Sequence, residues 1–248
     1  MSSYHIEHGI DDMLTNLKGT RALVIGGSSG IGRATAAAFL EAGALVTIAA
    51  RDPGRLAVAA DEIGVKSAVL DTGDNDAIER FFSDHAPFDH VAISAASTKG
   101  GSVGSLALDD AKTSFESKFW GAYRVARASR INEGGSLTFV SGFLSKRPSP
   151  TSVLQGAINS AIEALARGLA LERAPIRFNT VSPGLVDTPV YSKMAQGDRN
   201  AMFERTAAKL PVGRVGHPDD IAAAILFLAA NPFTTGTTLT VDGGATIA

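Results

Sequence analysis

The chain contains no cysteine, which excludes disulfides and thiol chemistry. It has little surplus charge: 23 Lys and Arg stand against 25 Asp and Glu, a formal net charge of −2. No basic run stands out, so nucleic acid is not expected as a partner. No apolar run approaches the roughly 20 residues needed to cross a bilayer. The longest, residues 221–230, reads as a buried helix, and no membrane partner is expected. Histidine is scarce, and His5, His8, His85, His90 and His217 show no metal-ligand spacing, so no metal is expected. His90 falls in an apolar run and reads as a packed residue. Residues 1–18 lack the apolar core of a signal segment and read as an N-terminal extension. A cytoplasmic location is the expectation.

What is present is a large supply of core. Hydrophobic residues make up 45% of 248, enough for one α/β domain spanning 1–248. Short runs rich in Val, Ile and Leu occupy 22–25, 45–49, 67–70, 90–93, 136–140, 177–181 and 238–241. They are apolar on both faces, as parallel strands covered by helices on each side should be. Helical patterns fall between them, over 31–42, 54–63, 75–85, 106–130, 153–172 and 218–230. The alternation predicts right-handed crossovers and a doubly wound parallel sheet of seven strands. Residues 188–215 are polar, hold Tyr191, Lys193 and a helix expected over 199–210, and are long enough to form a substrate lid.

Residues 21–32 read Arg-Ala-Leu-Val-Ile-Gly-Gly-Ser-Ser-Gly-Ile-Gly. An apolar strand runs into a glycine turn and then a helix. A turn without side chains lets a pyrophosphate approach the backbone, and the helix start offers free N–H groups and a positive dipole end. Gly26, Ser28, Ser29, Gly30, Ile31 and Gly32 are therefore candidate cofactor ligands. The second strand ends in Ala50 and Arg51 rather than an acidic residue. A carboxylate there would hold a free ribose 2′-hydroxyl, whereas a guanidinium matches a 2′-phosphate. NADP(H) is the expected cofactor, with Arg51 on its phosphate.

The spacing Gly26-x-x-x-Gly30-x-Gly32 resembles the turn of the short-chain dehydrogenase/reductase family, and the resemblance runs along nearly the whole chain. Asp71 and Thr72 follow the third strand, where that family holds the adenine. Ser94-Ala95-Ala96-Ser97 resembles a variant of its Asn-Asn-Ala-Gly turn. Asn179 to Thr188, containing Pro183, Gly184 and Val186, resembles the segment that orients the nicotinamide. Val212 to Pro218 and Val241-Asp242-Gly243-Gly244 resemble its C-terminal signature. The family implies a single Rossmann-type domain, a small-molecule substrate, and a homodimer or homotetramer built through long helices and the C-terminal strand.

Chemistry in that family rests on a Tyr, a Lys four residues later, a Ser and an Asn. The ungapped match of residues 159–172 to the helix after the Lys puts Gln155 at the Tyr position and Asn159 at the Lys. Gly142 falls at the Ser, with Ser141 just before it, and Lys118 falls at the Asn. A neutral amide such as Gln155 has no proton to give near pH 7. No Tyr with Lys four residues later occurs anywhere in the chain, and Tyr4 and Tyr123 fall outside the expected site. The pocket is therefore expected to hold no acidified phenol.

Lys and Asn are nevertheless exchanged between 118 and 159, which keeps one ammonium and one amide in the site. Lys118 is a candidate source of charge or, if burial lowers its pKa, of a proton. Ser141 and Ser145 are candidates to polarise a carbonyl, and Lys146 and Arg147 to hold an anion. Trp120 and Phe119 read as helix packing. The altered set resembles an atypical fungal branch of the family that reduces an iminium with NADPH. Two functions are compatible with these residues. The first is an NADP(H)-dependent reductase of an activated carbonyl or imine, using Lys118, Ser141, Gln155 and Asn159. The second is a non-catalytic dinucleotide-binding homologue acting as a partner subunit or redox sensor.

Overall fold

A computed structural model describes residues 17–248. The strands are β1 (Arg21–Ile25), β2 (Leu45–Ala50), β3 (Lys66–Val69), β4 (Phe88–Ile93), β5 (Ile131–Val140), β6 (Arg177–Pro183) and β7 (Thr238–Val241). They form one parallel sheet in the order β3-β2-β1-β4-β5-β6-β7. The chain reverses its direction of travel between β1 and β4. Neighbouring crossovers there leave to opposite faces, which opens a crevice at the C-terminal strand ends.

The helices are α1 (Gly30–Glu41), α2 (Pro53–Ile63), α3 (Asn75–Asp84), α4 (Leu108–Phe115), α5 (Gly121–Ala128), α6 (Val153–Glu172), α7 (Gln196–Ala207) and α8 (Pro218–Ala230). Alternation along β1 shows how the two layers are held. Leu23 and Ile25 pack with Ile78 and Phe82 of α3, Val125 of α5 and Ile158 of α6. Ala22 and Val24 face the other way, with Phe39 of α1, Leu56 of α2 and Ile225 of α8. Truncating a side chain as buried as Leu23 costs about 2–5 kcal/mol.

Caps set several boundaries. Asp52 Oδ1 accepts the Arg55 N–H at 3.0 Å, and α2 stops at Gly64, whose φ of 81° is left-handed. Asp74 caps α3 through the Ala77 N–H at 2.9 Å. His217 and Asp220 form a capping box on α8, with Pro218 in its first turn.

Several expectations need correction. Strand β3 is not apolar on both faces: Lys66, Ser67 and Val69 are exposed, because β3 is a sheet edge. Strand β5 starts at Ile131, earlier than expected, because Asn132 to Gly135 extends beside β4 across a register shift. The helix expected over 106–130 is broken by a π turn, Glu116–Trp120, between α4 and α5. The helix expected over 199–210 is α7, which starts and ends earlier. Within the expected lid, a 3₁₀ turn (Pro189–Tyr191) precedes α7. The expected N-terminal extension lies outside the described residues apart from Leu17 and Lys18, as do Tyr4, His5 and His8. His90 is packed, as expected: it is buried, stacked on Phe39 and hydrogen-bonded to Ser136. No helix among the described residues is long and apolar enough to cross a membrane.

Candidate active site

Two adjoining clefts lie at the C-terminal ends of the strands. The first, about 420 Å³, begins at the glycine turn after β1. Gly26 adopts φ 89°, and its N–H donates to the Ala49 carbonyl at 2.7 Å. A Cβ on Gly32 would collide with the Gly26 carbonyl oxygen and lie 2.6 Å from Ser94 Oγ. Glycine therefore lets α1 sit tightly under the turn and beside the loop after β4. Ser29 precedes α1 without a side-chain cap, so the first N–H groups of the helix remain available to an anion. Ser28, Ser29, Gly30 and Ile31 line this end of the cleft.

Thr72 lines the far wall, and Ser94, Ala95 and Ala96 line the wall formed by the loop after β4. Arg51 lines the rim. It is exposed and engages no other group among the described residues. Asp52 and Arg55, not anticipated from the sequence, also line this cleft. They pair at 2.9 Å. The Arg55 N–H and guanidinium hold the Asp52 carboxyl below its ordinary range. Asp71 is the exception among the expected cofactor residues. It is exposed, its carboxylate accepts the Gly73 N–H at 2.9 Å, and it does not line the cleft. The turn after β3 closes on its own aspartate, and Thr72 faces the cavity instead. The glycine cradle, the uncapped helix start and the free guanidinium together fit a pyrophosphate and a ribose phosphate.

The second cleft, about 300 Å³, shares Ile31, Thr98, Thr188 and Val190 with the first. Pro183, Gly184 and Val186, at and just after the end of β6, line it. So do Lys118, Ser141, Gln155 and Asn159, which come from the π turn, the end of β5 and helix α6. The π turn is braced by an ion pair between Glu116 and Arg124 at 2.5 Å. Gly121 allows the approach of α5 to the loop after β3, since a Cβ there would lie 2.8 Å from Thr72 Oγ1. A π insertion changes the direction of the side chains it carries, and here it carries Lys118.

Lys118 Nζ donates to Asn159 Oδ1 and to the Ser141 carbonyl, each at 2.7 Å. Burial lowers its pKa to about 8, against an opposing pull from the Glu163 carboxylate. The buried Asn159 donates in turn to the Gly142 carbonyl at 3.1 Å. A Cβ at 142 would lie 2.8 Å from Asn159 Nδ2. The asparagine therefore occupies space that any larger residue at 142 would claim. Gln155 Nε2 donates to Thr98 Oγ1 at 3.3 Å.

The loop after β5 differs from expectation. The Ser141 hydroxyl is buried and donates to Glu163 Oε1 at 2.8 Å, and Ser145 donates to the same oxygen at 2.7 Å. Neither proton is held ready for a carbonyl. Lys146 donates to Thr240 Oγ1 at 2.7 Å, and Arg147 donates to the Ala245 carbonyl. These cations tie the loop to the C-terminal segment and do not line the cleft. Glu163 was not anticipated, although a carboxylate four residues after Asn159 on one helix face was a readable signal. Thr98 carried no such signal.

Tyr191 also lines the second cleft, in contact with Phe203 of α7 at a ring separation of 5.6 Å. The residue expected in the lid thus brings a phenol to the cleft wall. Burial raises its pKa, the opposite of acidification. Tyr123 lines neither cleft. No group of acidic or histidine side chains able to hold a metal occurs among the described residues.

The chain is similar to known proteins along nearly its whole length. The family model for enoyl-(acyl carrier protein) reductase matches residues 25–246. The short-chain dehydrogenase/reductase ATR9 of Stachybotrys chlorohalonatus is 31% identical over 94% of this chain and 99% of its own. A small-chain dehydrogenase solved with NADPH is 36% identical over 93% of this chain and all of its own, with a TM-score of 0.82. An NADPH-bound short-chain oxidoreductase from Pseudomonas aeruginosa PAO1, described as containing an atypical catalytic center, is 28% identical over 91% of this chain and 96% of its own, with a TM-score of 0.85.

Proposed function

The chain belongs to the short-chain dehydrogenase/reductase family and is an NADP(H) oxidoreductase, and on that premise we propose that it reduces an activated small-molecule carbonyl or imine with a Lys118–Asn159 pair in place of the family's Tyr and Lys. The single observation that carries the reading is the 2.7 Å bond from Lys118 Nζ to Asn159 Oδ1 on the wall of the second cleft.

When bound, the reduced nicotinamide supplies hydride. The chain's own residues do the rest. Pro183, Gly184 and Val186 flank the ring's end of the cleft, and Arg51 takes the 2′-phosphate. Lys118 spends two of its N–H groups on Asn159 and Ser141, which leaves a third for a substrate oxygen or nitrogen. With a pKa of about 8, its ammonium is a general acid matched to neutral pH. Gln155 is a hydrogen-bond donor without a transferable proton. An iminium substrate is already positive and needs no acid, so it is the least demanding acceptor for this site. Residues 188–215 act as the lid: Val190 and Tyr191 already line the cleft beneath it. Exposed Trp120, Tyr123 and Leu171 on the helical flank, with Phe233 and Ile247 near the C-terminus, support a homodimer or homotetramer.

The non-catalytic reading is not favoured, because the residues around the cleft remain an ordered polar set with a charged member. The test is NADPH titration by fluorescence, followed by a screen of ketones, imines and enones for NADPH consumption. Turnover of an imine or activated carbonyl by the native protein is expected, with NADPH binding kept in Lys118→Met and turnover of the carbonyl lowered about 10²–10⁴-fold. Unchanged turnover in that variant would discard the role given to Lys118.

A further inference from the structure

Helix α6 presents Asn159 and, one turn later, Glu163 to the loop after β5, and both are buried. Ser141 and Ser145 both donate to Glu163 Oε1. Those serines bracket the segment whose carbonyls receive the site's polar groups: Ser141 O accepts from Lys118, and Gly142 O accepts from Asn159. Ser141 is thus bonded to Lys118 through its carbonyl and to Glu163 through its hydroxyl. We infer that Glu163 is a positioning residue of this site, which anchors the 141–145 loop under the ammonium of Lys118 and is its buried countercharge.

A buried carboxylate linked through one bridging residue favours the charged form of an amine that burial would otherwise neutralise. Lys118 feels that opposing pull from Glu163. Other charged groups on neighbouring elements are turned elsewhere. Glu116 of the π turn is paired with Arg124. On the loop, Lys146 and Arg147 bind the C-terminal segment. After β7, the Asp242 carboxylate accepts N–H groups of its own turn. Arg167 on α6, and Asp187 and Lys193 after β6, are exposed. Tyr191 lines the cleft with its phenol neutral. Glu163 is therefore the acidic group that sets the local field, and its two serine bonds set where that field originates.

The inference rests on the role proposed for Lys118, and its test separates the two. The full chain and its Glu163→Gln and Glu163→Asp variants are treated with trinitrobenzenesulfonate across pH 6–11. Modification of the Lys118 peptide is read by mass spectrometry, with Lys118→Met as the blank. NADPH oxidation is followed over the same range. Glutamine keeps the shape and both acceptor bonds but removes the charge, so the pKa of Lys118 should fall by about one unit or more. Aspartate keeps the charge and should keep the pKa near that of the native chain, even if the shortened side chain slows turnover. A matching shift of the alkaline limb of NADPH oxidation in Glu163→Gln supports both readings. A shift in Lys118 reactivity with no shift in that limb upholds Glu163 and removes Lys118 as the acid. A Lys118 pKa unchanged in a folded Glu163→Gln, or lowered by Glu163→Asp where Gln is misfolded, overturns the inference.

Discussion

Lys118 on the π turn and Asn159 on α6 meet directly, ammonium to amide oxygen, at 2.7 Å. Asn159 passes the contact on to the Gly142 carbonyl, and Gly142 has no room for a Cβ beside it. The three positions therefore form one packed unit. Their identities are coupled by space as well as by charge.

That coupling can be measured by exchanging the pair. Asn159→Lys alone sets two ammoniums within hydrogen-bond reach, and Lys118→Asn alone leaves the Ser141 carbonyl without its donor. The double exchange should lose less stability in urea unfolding than the two single losses predict by addition. The coupling is expected to be about 0.5–3 kcal/mol. Strict additivity would show that the contact carries no energy.

The acid role proposed for Lys118 carries a pH profile. Its pKa is lowered to about 8, and the acid form is the protonated one. Turnover should hold below that pH and fall as pH rises through it. Loss of a positioned acid typically costs 10²–10⁴-fold in rate, so Lys118→Met should lose about that factor at pH 7 and lose the alkaline limb as well. An iminium substrate would show a weaker limb than a ketone. A limb that persists in Lys118→Met assigns the titration elsewhere.

Tyr191 supplies the control. It lines the second cleft, but burial raises the pKa of its phenol, and no lysine contact among the described residues lowers it. Tyr191→Phe should keep turnover within a few-fold and alter KM more than kcat, as a wall residue would. A loss as large as that of Lys118→Met would make the phenol the proton source.

The proposed role of Arg51 is to select the dinucleotide from the rim of the first cleft. Hydrogen bonds to charged groups contribute about 1.5–3 kcal/mol each. Arg51→Ala should therefore weaken NADPH binding by about 10–100-fold and leave NADH binding nearly unchanged, both read by fluorescence titration. Equal losses for the two cofactors would assign Arg51 a structural role.

Much of this was legible in local sequence. The glycine turn, Arg51 and the Pro183–Thr188 segment line the clefts as expected, because each depends on backbone conformation and strand-end position, which short sequence windows encode. The absence of Tyr-x-x-x-Lys and the crossed Lys and Asn were visible for the same reason. Asp71 looked like a cofactor residue by position alone, yet its carboxylate closes its own turn on Gly73. Ser141, Lys146 and Arg147 had suitable chemistry at the right strand end. Their hydrogen bonds run to Glu163, Thr240 and the Ala245 carbonyl, partners 22 or more residues distant that no local window reveals.

By itself the sequence determined the element order, the nucleotide turn and which chemical groups the site could own, since periodicity, glycine conformation and side-chain pKa are local properties. Only the tertiary structure decided which of those groups are free and which are spent. It bent the long helix into a π turn at Lys118, brought that ammonium onto Asn159, gave two serine protons to a buried glutamate and set Tyr191 over the cleft. Those outcomes depend on burial and on competition among hydrogen-bond partners, and both exist only once distant segments have packed.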